Sequence, residues 1–253
     1  MKLSIVGAGP GHPELITLRA IKVLGQASVI LYDALANKSL LQYGHKEAER
    51  VYVGKRLGKH SISQEEINRI IKENLLQGKH VVRLKGGDPI IFGRGFEELE
   101  MAKELQAETE VVPGISSCVA VPSSCGIPVT RRGQSESFWV LTGHTKNGGI
   151  PADMHLAAQS NATIVILMGL SKIVEIQDIF MTHDKGHLPV AVIQNGTTPE
   201  EKCVLGEVHN IVSKIIENGL SNPAIIVIGE TVKNSPSYVQ TYLEKQKLFQ
   251  ETL

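Results

Sequence analysis

Four glycines, an aspartate and two arginines fall within the run VVRLKGGDPIIFGRG, residues 81–95. Gly86-Gly87-Asp88-Pro89 ends its apolar start, and Gly93 and Gly95 flank Arg94. Glycine admits positive φ and lets a ligand lie directly against the main chain. Asp88-Pro89 stiffens the turn, because proline fixes its own φ and drives the residue before it towards extended geometry. Open α/β sheets bind ligands where a strand ends in such a loop. The run therefore predicts a small-molecule pocket.

A second glycine loop, Gly7-Ala8-Gly9-Pro10-Gly11, follows the apolar Leu3-Ser4-Ile5-Val6. It imitates a dinucleotide fingerprint, and Asp33 falls about where a ribose-binding acid would stand. Two details oppose that reading. The pattern is G-x-G-x-G, without a third glycine at the fingerprint spacing. Pro10 and Pro13 also occupy positions where a pyrophosphate needs backbone N–H donors, which proline lacks. The loop suits close approach of a ligand better than it suits a diphosphate. Taken alone, it is equally readable as a plain glycine turn.

Other residues could carry charge chemistry. Asp33 follows Tyr32 at a strand end and is either a turn former or an acid–base group. Lys55-Arg56, with Lys59 and His60, makes a local basic patch. Arg131-Arg132-Gly133 reads as an anion clamp or a surface turn. Asn195-Gly196-Thr197-Thr198 reads as a hairpin turn or a pocket rim. Met168-Gly169-Leu170 repeats the strand-then-glycine form. The histidines show no metal-ligand spacing, and there is no G-x-S-x-G and no Cys/His nucleophile arrangement. So many glycine-bearing loops after strands predict one large pocket.

The elements that must hold these loops alternate. Strands are expected at 3–6, 28–32, 81–84, 109–112, 137–141, 163–167, 190–194, 203–206 and 224–228. Several are apolar throughout, as strands covered on both faces are. Helices are expected at 14–24, 63–77, 96–105 and 172–180. The second opens with a capping box, Ser63 as cap and Glu66 three residues on; Ser171 is a candidate cap for the last. A short helix is expected at 115–121. The alternation is the pattern of an α/β protein.

Composition narrows the class. The 253 residues suffice for one large domain or two smaller ones. Lys+Arg and Asp+Glu are both 26, so a general nucleic-acid binder with its basic excess is disfavoured. Cys118, Cys125 and Cys203 form no CxxC pair and read as small buried hydrophobes of a reducing, cytoplasmic compartment. No apolar run approaches the roughly 20 residues of a membrane span. The N-terminus runs straight into a strand, unlike a signal peptide.

Taken in order, the motifs resemble the tetrapyrrole (class III) methylase family. They are V-G-A-G-P-G-x-P-E-L-x-T-L at 6–18, V-G-K-R at 53–56, R-L-K-G-G-D-P-x-x-F-G-R-G at 83–95 and V-V-P-G-I-S-S at 111–117. G-I-P-V-T-x-R-G at 126–133, M-G-L at 168–170 and N-G-T-T-P at 195–199 complete the set. The resemblance implies two α/β domains, 1–114 and 115–253, with a ligand cleft between them that holds S-adenosyl-L-methionine. It assigns Pro10, Gly86, Gly87, Asp88, Ile91, Ser116, Ser117, Met168, Gly196 and Ala224 to the cofactor. It makes Asp33 a proton acceptor and Lys55 a proton donor, with Arg56 and Arg132 placed to pair with acid arms of the substrate. No metal is implied. The implied activity is methylation of uroporphyrinogen III at carbon, twice, to precorrin-2, by a cytoplasmic homodimer that binds neither nucleic acid nor membrane. The product would serve siroheme or cobalamin formation. Two alternatives stay open: methylation of a later corrinoid precursor, and a nucleotide-binding oxidoreductase or regulatory module built on the first glycine loop.

Overall fold

Strand β1 (Lys2–Gly7) is buried from Leu3 onward. In the computed structural model, which describes residues 1–54, 62–240 and 243, the chain gathers into two compact units, Met1–Ser117 and Cys118–Leu253. Lys55, Arg56, Lys59 and His60 lie outside the described residues.

In the first unit, β1 is joined by β2 (Val29–Tyr32), β3 (Glu49–Tyr52), β4 (His80–Lys85) and β5 (Glu108–Val112). All pair in parallel, in the order β3-β2-β4-β1-β5. Parallel sheets need cover on both faces, and helices supply it. Helix α1 (Leu18–Leu24) packs with Val6, Val82 and Leu84 on one face. Helices α2 (Gln64–Leu76) and α3 (Gly95–Glu104) pack with Leu3, Ile5 and Val81 on the other.

Local chemistry sets the helix starts. The helix expected over 14–24 is split into a 3₁₀ turn, Pro13–Leu15, and α1. Thr17 stays extended between them, and its hydroxyl accepts from Ala20 N at 3.1 Å, which caps α1. Ser63 caps α2 as expected, accepting from Glu66 N at 3.2 Å. The capping box is not completed, because the Glu66 carboxylate turns outward to Arg69 at 2.7 Å. Ser63→Ala is expected to cost about 1 kcal/mol. For a chain of this size that lowers the melting temperature by about 2–4 °C in a thermal melt.

The second unit carries β6 (Phe138–Thr142), β7 (Thr163–Leu167), β8 (Pro189–Gln194), β9 (Lys202–Glu207) and β10 (Ala224–Ile228). Their order is β6-β7-β10-β8-β9. Only β6 and β7 pair in parallel; the other pairings are antiparallel. Helix α4 (Ser117–Ser124) supplies Cys118 and Val121 to one face. Helices α5 (Asp153–Gln159), α6 (Ile173–Thr182) and α7 (Ile211–Glu217) cover the other with Met154, Ile176, Phe180 and Ile211. Ser171 does not cap α6: it lies inside a 3₁₀ turn, Leu170–Lys172, that runs directly into the helix. Cys118 is buried as expected, whereas Cys203 is exposed because β9 is an edge strand. Among the described residues, no helix is long and apolar enough to cross a membrane.

Candidate functional site

Three loops meet at the carboxyl ends of β1, β4 and β5, and backbone contacts stitch them together. Gly87 N donates to Gly9 O at 2.7 Å, and Gly9 N donates back to Gly87 O at 3.2 Å. Ala8 N donates to Lys85 O at 2.7 Å. These distances leave no room for side chains at the crossing. A Cβ on Gly7 would lie 2.5 Å from Gly114 Cα, and one on Gly114 would lie 2.3 Å from Gly87 O. Gly87 itself has φ +67°, and a Cβ there would meet nothing nearer than Ser117 N at 3.8 Å. Gly87 therefore packs in ordinary contact against the main chain of Ser116 and Ser117, and its positive φ is what favours glycine there.

Asp88 organises this junction. Its Oδ1 accepts from Ile90 N at 2.9 Å and Ile91 N at 3.3 Å, closing the turn that Pro89 begins. Its Oδ2 accepts from Gly114 N at 3.2 Å, tying the β4 loop to the β5 loop. Ile91 stands exposed on the far side of the turn. Pro10 follows the stitched Gly9. At the start of α1, Ala20 N is engaged by the Thr17 hydroxyl, and Pro10 and Pro13 bring no N–H to the loop before it.

Asp33 sits at the end of β2, beside β4 in the sheet. Its Oδ1 accepts from Leu35 N at 3.1 Å and Ala36 N at 3.2 Å. Its Oδ2 faces the Arg83 guanidinium at 3.3 Å, and its side chain remains 22 % exposed. Arg83 continues inward. Its Nε donates to Glu98 Oε1 at 3.2 Å, and another guanidinium nitrogen donates to Leu84 O at 2.9 Å. Lys85 Nζ lies 3.4 Å from the same Glu98 oxygen. Gln64 Nε2 donates to it at 3.1 Å. Burial pushes the Lys85 ammonium below the usual lysine range; Arg83 adds to that push and Glu98 opposes it.

Sequence reasoning missed this charged set. Its signal was V-V-R-L-K: two cations, two residues apart, inside a strand that must be buried on both faces. Such a strand demands a buried acid, and Glu98 on α3 supplies it. Arg94 pairs with the first turn of the helix it precedes. It enters α3 in the left-handed region, φ 56°, and its exposed guanidinium grips Glu97 at 2.7 and 2.8 Å.

Three expected cofactor residues of the second unit fall on one sheet edge. The register pairs Ile225 with Leu167 and Ala224 with Gln194, so Met168, Gly196 and Ala224 gather there. Met168 holds φ 56°, a conformation non-glycine residues rarely adopt and one often kept at ligand sites. Asn195-Gly196-Thr197-Thr198 belongs to the connection of the β8–β9 hairpin. A Cβ on Gly196 would strike Val121 at 2.3 Å. Arg132 lies exposed in the turn that Arg131 and Ser135 close by paired backbone hydrogen bonds at 2.9 and 2.8 Å.

Comparison with known proteins bears on these arrangements. The family model for tetrapyrrole (corrin/porphyrin) methylases matches residues 2–212. Uroporphyrinogen-III C-methyltransferase of Methanocaldococcus jannaschii is 46% identical over 233 residues, covering 91% of this chain and 96% of that protein. Siroheme synthase of Actinobacillus pleuropneumoniae is 42% identical over 92% of this chain, which spans only 48% of that longer protein. Among solved structures, uroporphyrin-III C-methyltransferase of Thermus thermophilus complexed with S-adenosylhomocysteine is 35% identical. It superposes with a TM-score of 0.79, covering 92% of this chain and 99% of that one.

Proposed function

This chain belongs to the tetrapyrrole (corrin/porphyrin) methylase family, and we propose that it methylates uroporphyrinogen III at two carbons to give precorrin-2, with S-adenosyl-L-methionine as methyl donor. The observation that carries the proposal is the 46% identity to the M. jannaschii enzyme across nearly the whole of both chains. The first unit's chemistry supports it. A glycine crossing whose loop carries Pro10 and Pro13, residues without the N–H donors a diphosphate needs, suits a cofactor that carries no phosphate.

S-adenosyl-L-methionine supplies an electrophilic methyl group on a cationic sulfur. Every other task falls to the substrate and to this chain. Uroporphyrinogen is electron-rich, so its own pyrrole carbon is the nucleophile and no protein nucleophile is needed. Methylation at that carbon leaves a proton to be removed, and Asp33 accepts it. Its Oδ1 is engaged by two backbone N–H groups, which fixes the carboxylate; the Oδ2 side, next to Arg83, takes the proton. Lys55 returns a proton, and Arg56 and Arg132 pair with propionate and acetate arms through charge-assisted bonds. Pro10, Gly86, Gly87, Ile91, Ser116 and Ser117 hold the cofactor, with Asp88 shaping the loop that carries them. Met168, Gly196 and Ala224 serve the adenosine end. The enzyme acts as a cytoplasmic homodimer and binds no nucleic acid or membrane.

Incubating the purified chain with uroporphyrinogen III and S-adenosyl-L-methionine is expected to add two methyl groups by mass spectrometry. Methylation of a later corrinoid precursor, with uroporphyrinogen III untouched, would replace the proposed substrate. Tight NAD(P) binding by calorimetry, with none of S-adenosylhomocysteine, would overturn the methyltransferase reading itself.

A further inference from the structure

The charges buried beneath Asp33 do not balance among themselves. Arg83 and Lys85 are cations with side chains 5 and 6 % exposed, and Glu98 is the fully buried acid between them. The trio therefore carries one cation in excess. Buried charges are stable only when paired and hydrogen-bonded, so a purely structural set would close on itself. This one closes on Asp33, whose partly exposed carboxylate faces the Arg83 guanidinium.

The geometry assigns each contact of that guanidinium. Arg83 sits mid-way between two carboxylates, with Nε towards Glu98 at 3.2 Å and a terminal nitrogen towards Asp33 at 3.3 Å. The remaining nitrogen is held by Leu84 O at 2.9 Å. Glu98 is itself immobilised. Lys85 reaches both its oxygens at 3.4 and 3.5 Å, and Gln64, which also bonds Asn68 at 3.0 Å, donates to Oε1. The planar fork of arginine matches this task, and a lysine could not span both acids.

We propose that Glu98 is a positioning residue: from α3 it holds the Arg83 fork, and through Arg83 it fixes the Asp33 carboxylate in the orientation that takes the substrate proton. The proposal rests on the reading of Asp33 as the base. Glu98 never touches substrate or cofactor. Its effect travels through one side chain, from the helix that follows the glycine loop to the strand end that carries the base. Preorganisation of this kind lets a carboxylate react without first reorienting.

The test is a double-mutant cycle. Glu98→Gln is expected to lower kcat about tenfold or more, while KM for uroporphyrinogen III and calorimetric affinity for S-adenosylhomocysteine stay within about twofold. In an Asp33→Asn background the same substitution is expected to cost nothing further, because it acts only through Asp33. Should Glu98→Gln fail to fold, Glu98→Gln/Lys85→Met removes one charge of each sign and leaves Arg83 balanced by Asp33; the same results are expected of it. An unchanged kcat overturns the proposal. So does a loss shared by kcat, KM and cofactor affinity, which marks a structural role, and so does an equal loss in the Asp33→Asn background. A wild-type chain that fails to methylate uroporphyrinogen III overturns instead the reading on which the proposal stands.

Discussion

Asp33→Ala is expected to lower kcat for methylation of uroporphyrinogen III by about 10²–10⁴-fold, the usual worth of a positioned acid–base group. Affinity for S-adenosylhomocysteine is expected to stay within about twofold of wild type. The argument begins with β2, which delivers Asp33 to the carboxyl edge of the first sheet next to β4. Two backbone N–H groups then hold one carboxylate oxygen, and Arg83 faces the other. None of those contacts is to the glycine crossing, so the cofactor loops keep their form when Asp33 is lost. Single-turnover methyl transfer with calorimetry on the same variant checks both halves. A variant with wild-type kcat would remove Asp33 from the reaction.

Gly114→Ala is expected to act in the opposite manner, abolishing cofactor binding before chemistry is reached. A Cβ at that position would lie 2.3 Å from Gly87 O and 2.8 Å from Gly7 Cα. Both are backbone atoms, so no side chain can swing away to relieve the clash. The loops must part, and the bonds Asp88 makes to Gly114 N and Gly87 makes to Gly9 part with them. Affinity for S-adenosylhomocysteine is expected to fall about a hundredfold or more; tight interiors respond to added atoms by displacement of backbone. Calorimetric titration of a variant that still melts cooperatively is the measurement. Binding within about threefold of wild type would show that the crossing tolerates separation.

Much of this site was readable in the residues. Glycines 7, 86 and 87 announced close backbone approach, and Pro10 and Pro13 argued against a diphosphate; Gly114 stood only as one residue of a loop motif. The strands also declared themselves, since β10 is apolar throughout and β1, β4 and β7 each carry an apolar run. Their direction did not. An apolar strand buried on both faces looks the same whether its neighbour runs parallel or antiparallel, so the mixed sheet of the second unit was invisible in β7, β8 and β10. The short helices α5 and α7 were missed for a related reason: seven residues hold fewer than two full helical turns, too few for a periodic pattern. Asp88 was expected to reach the cofactor with its carboxylate, and the bonds it makes are to the backbone of its own and a neighbouring loop. Glu98 gave no local sign at all. It reads as one more acid in the first turn of a helix, and only the spatial meeting of α3 with β4 reveals its partners.

The charged residues of β4 also bear on how the sheet finds its alignment. β4 is inserted between β2 and β1, strands that the chain has already passed, so its pairing has two templates and no hairpin to set it. Val82 and Leu84 point to one face, Val81, Arg83 and Lys85 to the other. Sliding β4 by one residue would exchange those faces. Arg83 and Lys85 would then enter the cluster of Val6, Ala20, Val23 and Ile30 and leave Glu98 behind. The hydrophobic pattern alone penalises that error weakly, because both faces are apolar. Two buried cations parted from Glu98 penalise it further. The same acid that steadies the base thus doubles as a proofreading device for strand register, since β4 cannot slide without parting its cations from Glu98.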